Sequence, residues 1–269
     1  MGNFVVIPND ISSINILLDK EIRGLIIGVR DLSIYPFELE VDKIIDIANT
    51  TDKEIIVAMN RMIHNKDLNL VRDILDKINN SRIKKIMFYD LGIFNIAKKM
   101  GLSQELIISQ EHLNASLCSN KFYYDKGINN VMITSDITYK EVLDINNNTN
   151  MNVYYTVYGY LPIFYSRRYL LTNYFKYVGK DKNDDTYYIF NNGLKHMIKE
   201  YVYGTIIYSP LVNLINNIDK INSIDNLVID LSYDNDIDMV DKFINNENVN
   251  DTYTGFFDKK TVYKLKDYD

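Results

Sequence analysis

Short apolar runs alternate with segments whose apolar residues recur at helical spacing from residue 4 to residue 157. Seven apolar runs predict strands at 4–7, 24–29, 54–59, 85–88, 106–108, 130–133 and 153–157. Helices are predicted between them at 11–21, 38–49, 67–79, 91–100, 115–126 and 139–145. The strands are apolar throughout rather than alternating, which is typical of a parallel sheet covered on both faces.

This alternation of strand and helix favours either a closed barrel or a doubly wound sheet. No Gly-x-Gly-x-x-Gly follows any of the strands, which disfavours a dinucleotide-binding sheet. Seven units about 25 residues apart therefore predict an α/β fold, a TIM-like (β/α)8 barrel. The eighth strand is predicted at 226–230 and the closing helix at 236–246. We expect one barrel domain over residues 1–269, with a short tail from residue 250.

The regular pattern breaks between residues 160 and 204, which predicts an insertion after the seventh strand. The insertion begins within a tyrosine-rich stretch, 157–175, that turns at Gly159 and Pro162. The sequence at 191–193, Asn-Asn-Gly, predicts a hairpin whose arms lie at 187–190 and 194–197. The barrel pattern is then expected to resume with a strand at 205–208 and a helix at 210–220.

The net charge and the cysteine content exclude some kinds of function and cofactor. A net charge of −6 argues against a protein that coats nucleic acid over its whole surface, although a local basic patch remains compatible with it. The single cysteine, Cys118, allows neither an intrachain disulfide nor an iron–sulfur cluster held by this chain alone. Cys118 falls in a predicted helix and is expected to be a small core residue. We predict no cofactor.

The chain lacks both the basic start and the apolar core of a signal peptide. It also has no apolar run near the roughly 20 residues that span a bilayer. We therefore expect a cytoplasmic protein without a membrane partner.

Functional side chains in a barrel of this kind gather where the strands end. The predicted strand ends supply amides, hydroxyls and carboxylates, a set that suits a polar or anionic ligand. Its members are Asn60 with nearby His64, Asp90, Ser109, Gln110, Glu111, Asn114, Ser135, Asp136 and Asp230.

Structural roles compete with each of these assignments. Asn60 and Asn114 equally suit caps of turns or helices. Asp90 and Asp230 are either a general acid and base or anchors of helices and loops. The histidines, His64, His112 and His196, are scattered without metal-ligand spacing, which disfavours a metal site.

The segment at 158–168 carries the candidate binding residues Tyr158, Tyr165, Ser166, Arg167 and Arg168. Ser166 lacks the Gly-x-Ser-x-Gly elbow of a serine hydrolase and has no histidine nearby in sequence. The two guanidinium groups suit carboxylates or phosphates, and the tyrosines can stack on bases. Alternatively, the tyrosines pack the insertion onto the barrel and the charges only face solvent.

Five segments occur in an order and at a spacing that resemble the U32 family of collagenase-like peptidases. Relatives of that family take part in ubiquinone, tRNA and ribosomal RNA hydroxylation. The matching segments are 58–65, 89–93, 109–114, 127–141 and 158–168. In the hydroxylation relatives, cysteines in and after the last segment hold an iron–sulfur cluster. Here Pro162 and Tyr169 stand where two of them are expected, and Tyr158 replaces the usual histidine.

The resemblance implies an accessory or substrate-binding subunit of a tRNA hydroxylation system. Its partner would be a cluster-bearing paralogue, and its ligand tRNA or an anionic small molecule held by Arg167 and Arg168. A collagenase-like peptidase of unknown catalytic type is the alternative, and a purely structural partner is a third possibility. Whether the chain itself is an enzyme stays open at this point.

Overall fold

Eight parallel strands close into a barrel in the computed structural model, which describes residues 3–110 and 114–259. The strand order around the barrel is β12-β1-β2-β4-β5-β6-β7-β8, and β8 pairs with β12 to complete the circle. These strands are β1 (Phe4–Ile7), β2 (Gly24–Val29), β4 (Glu54–Met59), β5 (Lys85–Phe88), β6 (Glu105–Ser109), β7 (Asn130–Met132), β8 (Asn152–Ser166) and β12 (Asn226–Asp230). The predicted (β/α)8 barrel is confirmed.

Helices link the successive strands and cover the outside of the barrel. They are α1 (Ile11–Leu18), α2 (Val41–Thr50), α3 (Leu68–Asn79), α4 (Leu91–Met100), α5 (Leu117–Asp125), α6 (Tyr139–Asn148) and α8 (Asp238–Asn245). Asp10 caps α1 by accepting a hydrogen bond from the Ser13 N–H at 2.7 Å, and Thr138 and Glu141 form a capping box at the start of α6. None of the helices described by the structure has the length and apolar character needed to cross a bilayer.

Two apolar layers hold the barrel together. The inner layer fills the barrel with side chains such as Ile26, Met87 and Tyr154. The larger outer layer lies between the strands and the helices, where every residue of β2 is buried because both faces of that strand are covered. The continuous apolar runs of the sequence follow from this double burial.

β8 leaves the barrel at Gly159. Its first residues pair in parallel with β7 and β12, whereas Gly159 and the residues beyond it pair antiparallel with β11 (Gly204–Asn213). Gly159 has a φ of +136°, and a Cβ there would lie 2.7 Å from the Cβ of Asp230. Only glycine combines this backbone conformation with so close an approach to β12.

The outer part of β8 belongs to an antiparallel sheet that continues with β11, β10 (Leu194–Tyr201) and β9 (Thr186–Asn191). We call these four segments the insertion sheet, within which α7 (Leu170–Tyr177) connects β8 to β9. An apolar cluster that includes Ile34, Ile206 and Tyr208 packs this sheet onto the loop after β2. The insertion therefore covers the mouth of the barrel, the end where its strands finish.

Several predictions about local structure need correction. The seventh strand does not end at residue 157, and the predicted helix at 210–220 is wrong. Its first residues complete β11, and only a 3₁₀ turn, Ile215–Lys220, follows. The helix predicted at 38–49 begins later, after a short strand β3 (Glu38–Leu39) that pairs with β2. The predicted hairpin is confirmed, with arms longer than expected.

The expected core position of Cys118 is also wrong, since this residue is exposed on α5. Asn120 is the buried residue of that helix. The candidate residues Glu111 and His112, and the end of the predicted tail from residue 260, lie outside the described residues.

Candidate functional site

A small cavity of about 70 Å³ lies inside the mouth of the barrel. Polar residues from several strand ends line it, beneath a cover formed by Ile34, Tyr35, Leu161 and Pro162. Those polar residues are Asn60, Ser109, Thr134, Ser135, Asp136, Thr156 and Asp230. Five of them belong to the set expected from the sequence, while Thr134 and Thr156 were missed. The cavity has room for a few water molecules or a small polar group.

Asn60 and Asp230 both hold loops at this cavity. Asn60 Oδ1 accepts hydrogen bonds from the Ser33 hydroxyl at 2.8 Å and the Ile34 N–H at 3.1 Å, which fixes the loop after β2. Asp230 accepts from the N–H of Ser232 at 2.8 Å and from its hydroxyl. Burial raises the pKa of Asp230 to about 6, and the bonds from Ser232 oppose this rise. Asn60 and Asp230 therefore both have the loop-anchoring role that the sequence allowed for them.

Asp90 lies outside this cavity and also anchors backbone. Its Oδ1 accepts from the Gly92 N–H at 2.7 Å and thereby caps α4. Its Oδ2 accepts from the Ile63 N–H at 3.1 Å, which fixes the segment after β4. The structure therefore does not bring Asp90 and Asp230 together as an acid and base pair at the small cavity.

Gln110 and Asn114 bridge neighbouring strand ends. Gln110 Nε2 donates to the Tyr89 carbonyl at 3.2 Å, and its Oε1 accepts from the Tyr123 hydroxyl at 3.1 Å. Asn114 is fully buried, and its Nδ2 donates to the Met132 carbonyl at 3.1 Å. Gln110 thereby links the ends of β5 and β6, and Asn114 is held against the end of β7.

Tyr158 faces the outer helices. Its ring meets Phe243 of α8 edge-on at 6.0 Å between centroids, and its hydroxyl donates to Asp234. Burial, followed by the bond to Asp234, raises the pKa of Tyr158 well above its usual value. The residue that replaces the family histidine therefore holds β8 against the outer layer.

A larger cleft of about 630 Å³ opens between the loop after β2 and the insertion sheet. We call it the outer cleft. Tyr35 lines both this cleft and the small cavity, so the two are neighbours. The remaining lining includes Glu38, Tyr169, Lys199, Tyr201 and Tyr203. Of these, the sequence singled out Tyr169 alone, as a cysteine replacement, because the cleft exists only once the insertion folds over the barrel.

Glu38 is the perturbed acid of the outer cleft. Its Oε2 accepts from the Asp31 N–H at 3.2 Å, whereas its Oε1 is buried without a hydrogen-bond partner among residues 3–110 and 114–259. Burial, aided by the Asp31 charge, raises the pKa of Glu38 to about 7, against the opposing effects of the Asp31 and Ser33 N–H groups and of Arg61. Near neutral pH this carboxyl can therefore accept or release a proton.

Four side chains form a column along the cleft. Tyr201 and Tyr203 stack at 4.9 Å with an interplanar angle of 6°. The Arg61 guanidinium lies 5.3 Å from the Tyr203 centroid, and the Lys199 ammonium lies 5.6 Å from the Tyr201 centroid. Arg61 is 6% exposed and donates to Asp67 at 3.3 Å, so it fixes the inner end of the column.

Arg167 and Arg168 are exposed on the rim, where β8 ends. Arg167 contacts His64 Nδ1; desolvation and then the Arg167 charge lower the pKa of His64. In the part of the chain that the structure describes, no carboxylate forms a salt bridge with either arginine. Ser166 Oγ accepts from the Arg168 N–H at 3.3 Å, so Ser166 supports the rim backbone.

Tyr165 packs edge-on against Tyr203 at 6.3 Å and joins the rim to the column. His196, on β10, lies with Nδ1 3.2 Å from the Tyr208 carbonyl oxygen, far along the insertion sheet from the Arg167 and His64 contact. Within the described ranges, no group of three or more His, Cys, Asp or Glu residues could hold a metal ion.

An iron–sulfur cluster does not fit the residues at the equivalent positions. Pro162 lines the small cavity and Tyr169 lines the outer cleft. Cys118, the single cysteine of the sequence, is exposed on α5. A protein-held cluster needs several thiolate or imidazole ligands, and these positions offer none.

Known proteins are similar to this chain in sequence. The family model described as peptidase family U32 matches residues 31–187. The tRNA hydroxylation protein P2 of Bacillus subtilis is 23% identical over 52% of this chain and 46% of that protein. A Methanocaldococcus jannaschii protein described as an uncharacterized protease is 22% identical over 62% of this chain and 42% of that protein. The chain thus matches less than half the length of these curated relatives.

Among solved structures, one described as a phosphonomutase from Burkholderia cenocepacia aligns with a TM-score of 0.40 and 9% identity. The alignment covers 58% of this chain and 78% of that one.

Proposed function

The chain belongs to peptidase family U32, and from this premise we propose that it is a tRNA-contacting accessory subunit of an RNA hydroxylation system. The observation that carries the proposal is the exposed arginine pair on a positively charged, tyrosine-rich insertion. Similarity to the tRNA hydroxylation protein of Bacillus subtilis supports RNA rather than a peptide as the ligand.

Charge is unevenly divided along the chain. Residues 160–204 contain seven Lys and Arg residues against four Asp and Glu residues, whereas the rest of the chain has 23 against 32. The insertion is therefore positive and the remainder strongly negative. A polyanion is attracted to the insertion and repelled by the remaining surface, which restricts where it can bind.

Exposed aromatic and aliphatic side chains concentrate on the same insertion. It holds ten of the seventeen large apolar side chains that are exposed in the described residues. Tyr177 is 89% exposed and Tyr174 is 58% exposed, both on α7, which begins two residues after Arg168. Rings next to cationic groups provide both stacking surfaces for bases and contacts for phosphates, the combination that single-stranded RNA requires.

Hydroxylation is an oxidation and needs a redox-active group, which the single exposed cysteine cannot hold here. We assign that chemistry to a cluster-bearing paralogue in the cytoplasm, and we assign binding of the RNA substrate to this chain. The exposed apolar side chains of the insertion that RNA leaves uncovered are available to such a partner.

Deletion of the gene tests the proposal. Digested tRNA from the deletion strain is analysed by mass spectrometry, and we expect hydroxylated uridine to be lost and then restored by the wild-type gene. Complementation with Arg167→Glu and Arg168→Glu together is expected to fail. An unchanged content of hydroxylated uridine in tRNA from the deletion strain would contradict the proposal.

Lys43→Glu with Lys121→Glu is the matched control. Both lysines are exposed on outer helices, at α2 and α5, and form no salt bridge with a described residue. This variant changes the net charge by the same amount as the arginine variant. It is expected to restore the modification fully, because the reversed charges lie away from the insertion.

A further inference from the structure

β9 forms an open edge of the insertion sheet. It pairs antiparallel with β10 along its whole length, and no strand among the described residues pairs with its other side. Edge strands in natural proteins are commonly protected by charged side chains, prolines or bulges. β9 has the sequence Thr-Tyr-Tyr-Ile-Phe-Asn and a regular register with β10, so it carries none of these protections. This edge can therefore accept a further strand.

The turn of the hairpin determines which backbone groups face the open edge. Asn191 and Leu194 flank a two-residue turn, so they form a hydrogen-bonded pair. Such pairs recur at every second residue, and the Glu200 N–H accordingly donates to the Asp185 carbonyl at 2.8 Å. The even-numbered residues of β9 therefore point their N–H and C=O groups away from β10.

Tyr188 and Phe190 present free backbone groups at this edge. None of the turn and loop hydrogen bonds of the described residues engages the N–H or C=O of either residue. The Thr186 N–H, in contrast, already donates to Asp184 Oδ1 at 3.0 Å. The side chains of Tyr188, Ile189 and Phe190 are 49%, 45% and 71% exposed. An incoming strand thus meets two donors, two acceptors and three exposed apolar side chains.

We propose that this edge pairs with β9 of a second copy of the chain, antiparallel about a two-fold axis at Ile189. Tyr188 of each copy then lies opposite Phe190 of the other and exchanges two hydrogen bonds with it, which uses all the free groups of both residues. The paired rings lie on one face of the joined sheet, and the two Ile189 side chains meet on the other. An axis at Tyr188 would instead require the Thr186 N–H, which Asp184 engages.

Charge favours this antiparallel arrangement over a parallel one. β9 itself contains no charged residue, so its self-pairing brings no like charges together. Asp184 precedes the strand and Lys195 follows its turn, and neither forms a salt bridge with a residue that the structure describes. Antiparallel pairing brings the Asp184 end of one β9 to the turn end of the other, where Lys195 lies. Parallel pairing would place the two Asp184 carboxylates side by side.

The apolar area around the axis continues onto α7. Tyr187 lies on the same face of β9 as Ile189, and its ring contacts that of Phe175 at 4.8 Å between centroids. Phe175 in turn meets Tyr174 at 5.5 Å, and Tyr174 is 58% exposed. A pair of six-residue strands is nevertheless a small interface. We therefore expect a weak dimer, with a dissociation constant of about 1–100 µM.

Sedimentation velocity of the purified protein, freed of nucleic acid, tests the inference over about 1–200 µM. A species of twice the mass of one chain should grow with concentration. Ile189→Lys places two ammonium groups at the axis and should weaken dimerisation at least about tenfold. Val202→Lys is the matched control, since Val202 is 82% exposed in the turn after β10 and adds the same charge away from the β9 edge. It should dimerise like the wild-type protein.

Disulfide cross-linking tests the register and does not depend on how well Ile189→Lys folds. Cys118 is the single cysteine, so Cys118→Ser provides a background without thiols. In this background Ile189→Cys should give a covalent dimer on mild oxidation. The two Cα atoms of a non-hydrogen-bonded pair lie about 4.5 Å apart, within the range that a disulfide spans. Val202→Cys, at a more exposed position, should remain monomeric.

Each contrary outcome overturns a defined part of the proposal. A wild-type protein that stays monomeric at all concentrations overturns the dimer. Equal dimerisation of Ile189→Lys, or equal cross-linking at positions 189 and 202, overturns its assignment to β9. A pure protein that is monomeric while Ile189→Cys cross-links to a different protein in cell extract overturns the second copy as the occupant. The dimer is measured without RNA, so these outcomes are independent of the proposed function.

Discussion

Glu38 should make the protein less stable at high pH, and Glu38→Gln should remove this effect. Burial raises the pKa of Glu38 from 4.5 to about 7 in the folded protein. Between these two values the folded state binds the proton more tightly than the unfolded state does. The stabilisation from protonation is complete below pH 4.5 and is lost as pH rises through 7.

The magnitude follows from the pKa difference. Each pKa unit corresponds to about 1.4 kcal/mol, so the full difference sets an upper limit of roughly 3.5 kcal/mol. The carboxyl is only partly withdrawn from water, and solvent screening reduces the effect to about 1–2 kcal/mol. The other titratable groups near the carboxyl are Asp31, Arg61, Tyr201 and Tyr203. The two tyrosines stay neutral in this range because burial raises their pKa values further.

Urea titrations of both proteins at about pH 5 and about pH 8 measure the effect. The free energy of unfolding of the wild-type protein should fall by about 1–2 kcal/mol more than that of Glu38→Gln between these conditions. Using the variant as reference cancels the contribution of all other titrating groups. Parallel pH dependence of the two proteins would show that Glu38 is not buried as described.

Three further predictions address the fold and the alternative function. Gly159→Ala should lower the free energy of unfolding by at least about 2 kcal/mol, because a Cβ meets Asp230 at 2.7 Å and the φ is +136°; an unchanged thermal midpoint would contradict this. Tyr158→Phe should cost about 1 kcal/mol through loss of the bond to Asp234 and leave RNA affinity unchanged, since Tyr158 faces the outer helices. Purified protein with divalent metal ions should leave gelatin intact over hours, whereas cleavage abolished by Ser166→Ala would establish a peptidase.

The barrel could be predicted because its strands are buried on both faces. The predicted strands 85–88 and 226–230 and the helix 91–100 match the structure residue for residue. In these segments a local apolar run or a helical period decides the structure, without reference to distant residues. The Asn-Asn-Gly turn identified the hairpin for a similar reason, since Asn192 and Gly193 both have positive φ.

The segments that failed depend on tertiary context. Pro210 suggested the start of a helix, yet it lies at an irregularity between β11 and β8, where a proline is tolerated in a strand. The outer part of β8 includes exposed residues such as Phe164, so it lacks the continuous burial that marked the other strands.

The site was predictable only in part. Asn60, Ser109 and Asp230 lie at or directly after strand ends, and barrel geometry alone brings them to one cavity. Glu38 was missed because it falls inside the predicted helix 38–49, and the cleft that it lines with Tyr203 forms only when the insertion, far away in the sequence, folds over the barrel. Arg167 and Arg168 were identified from composition, but the structure was needed to locate them on the rim outside the small cavity.

The affinity of the purified protein for total tRNA, measured across a series of salt concentrations, tests the central claim most directly. Arg167→Glu with Arg168→Glu should weaken binding at least tenfold and reduce the magnitude of the salt slope by about 2, since two phosphate contacts are lost. Lys43→Glu with Lys121→Glu should bind like the wild-type protein. Equal affinities and slopes for all three proteins would contradict the assignment of the insertion as the RNA-binding surface.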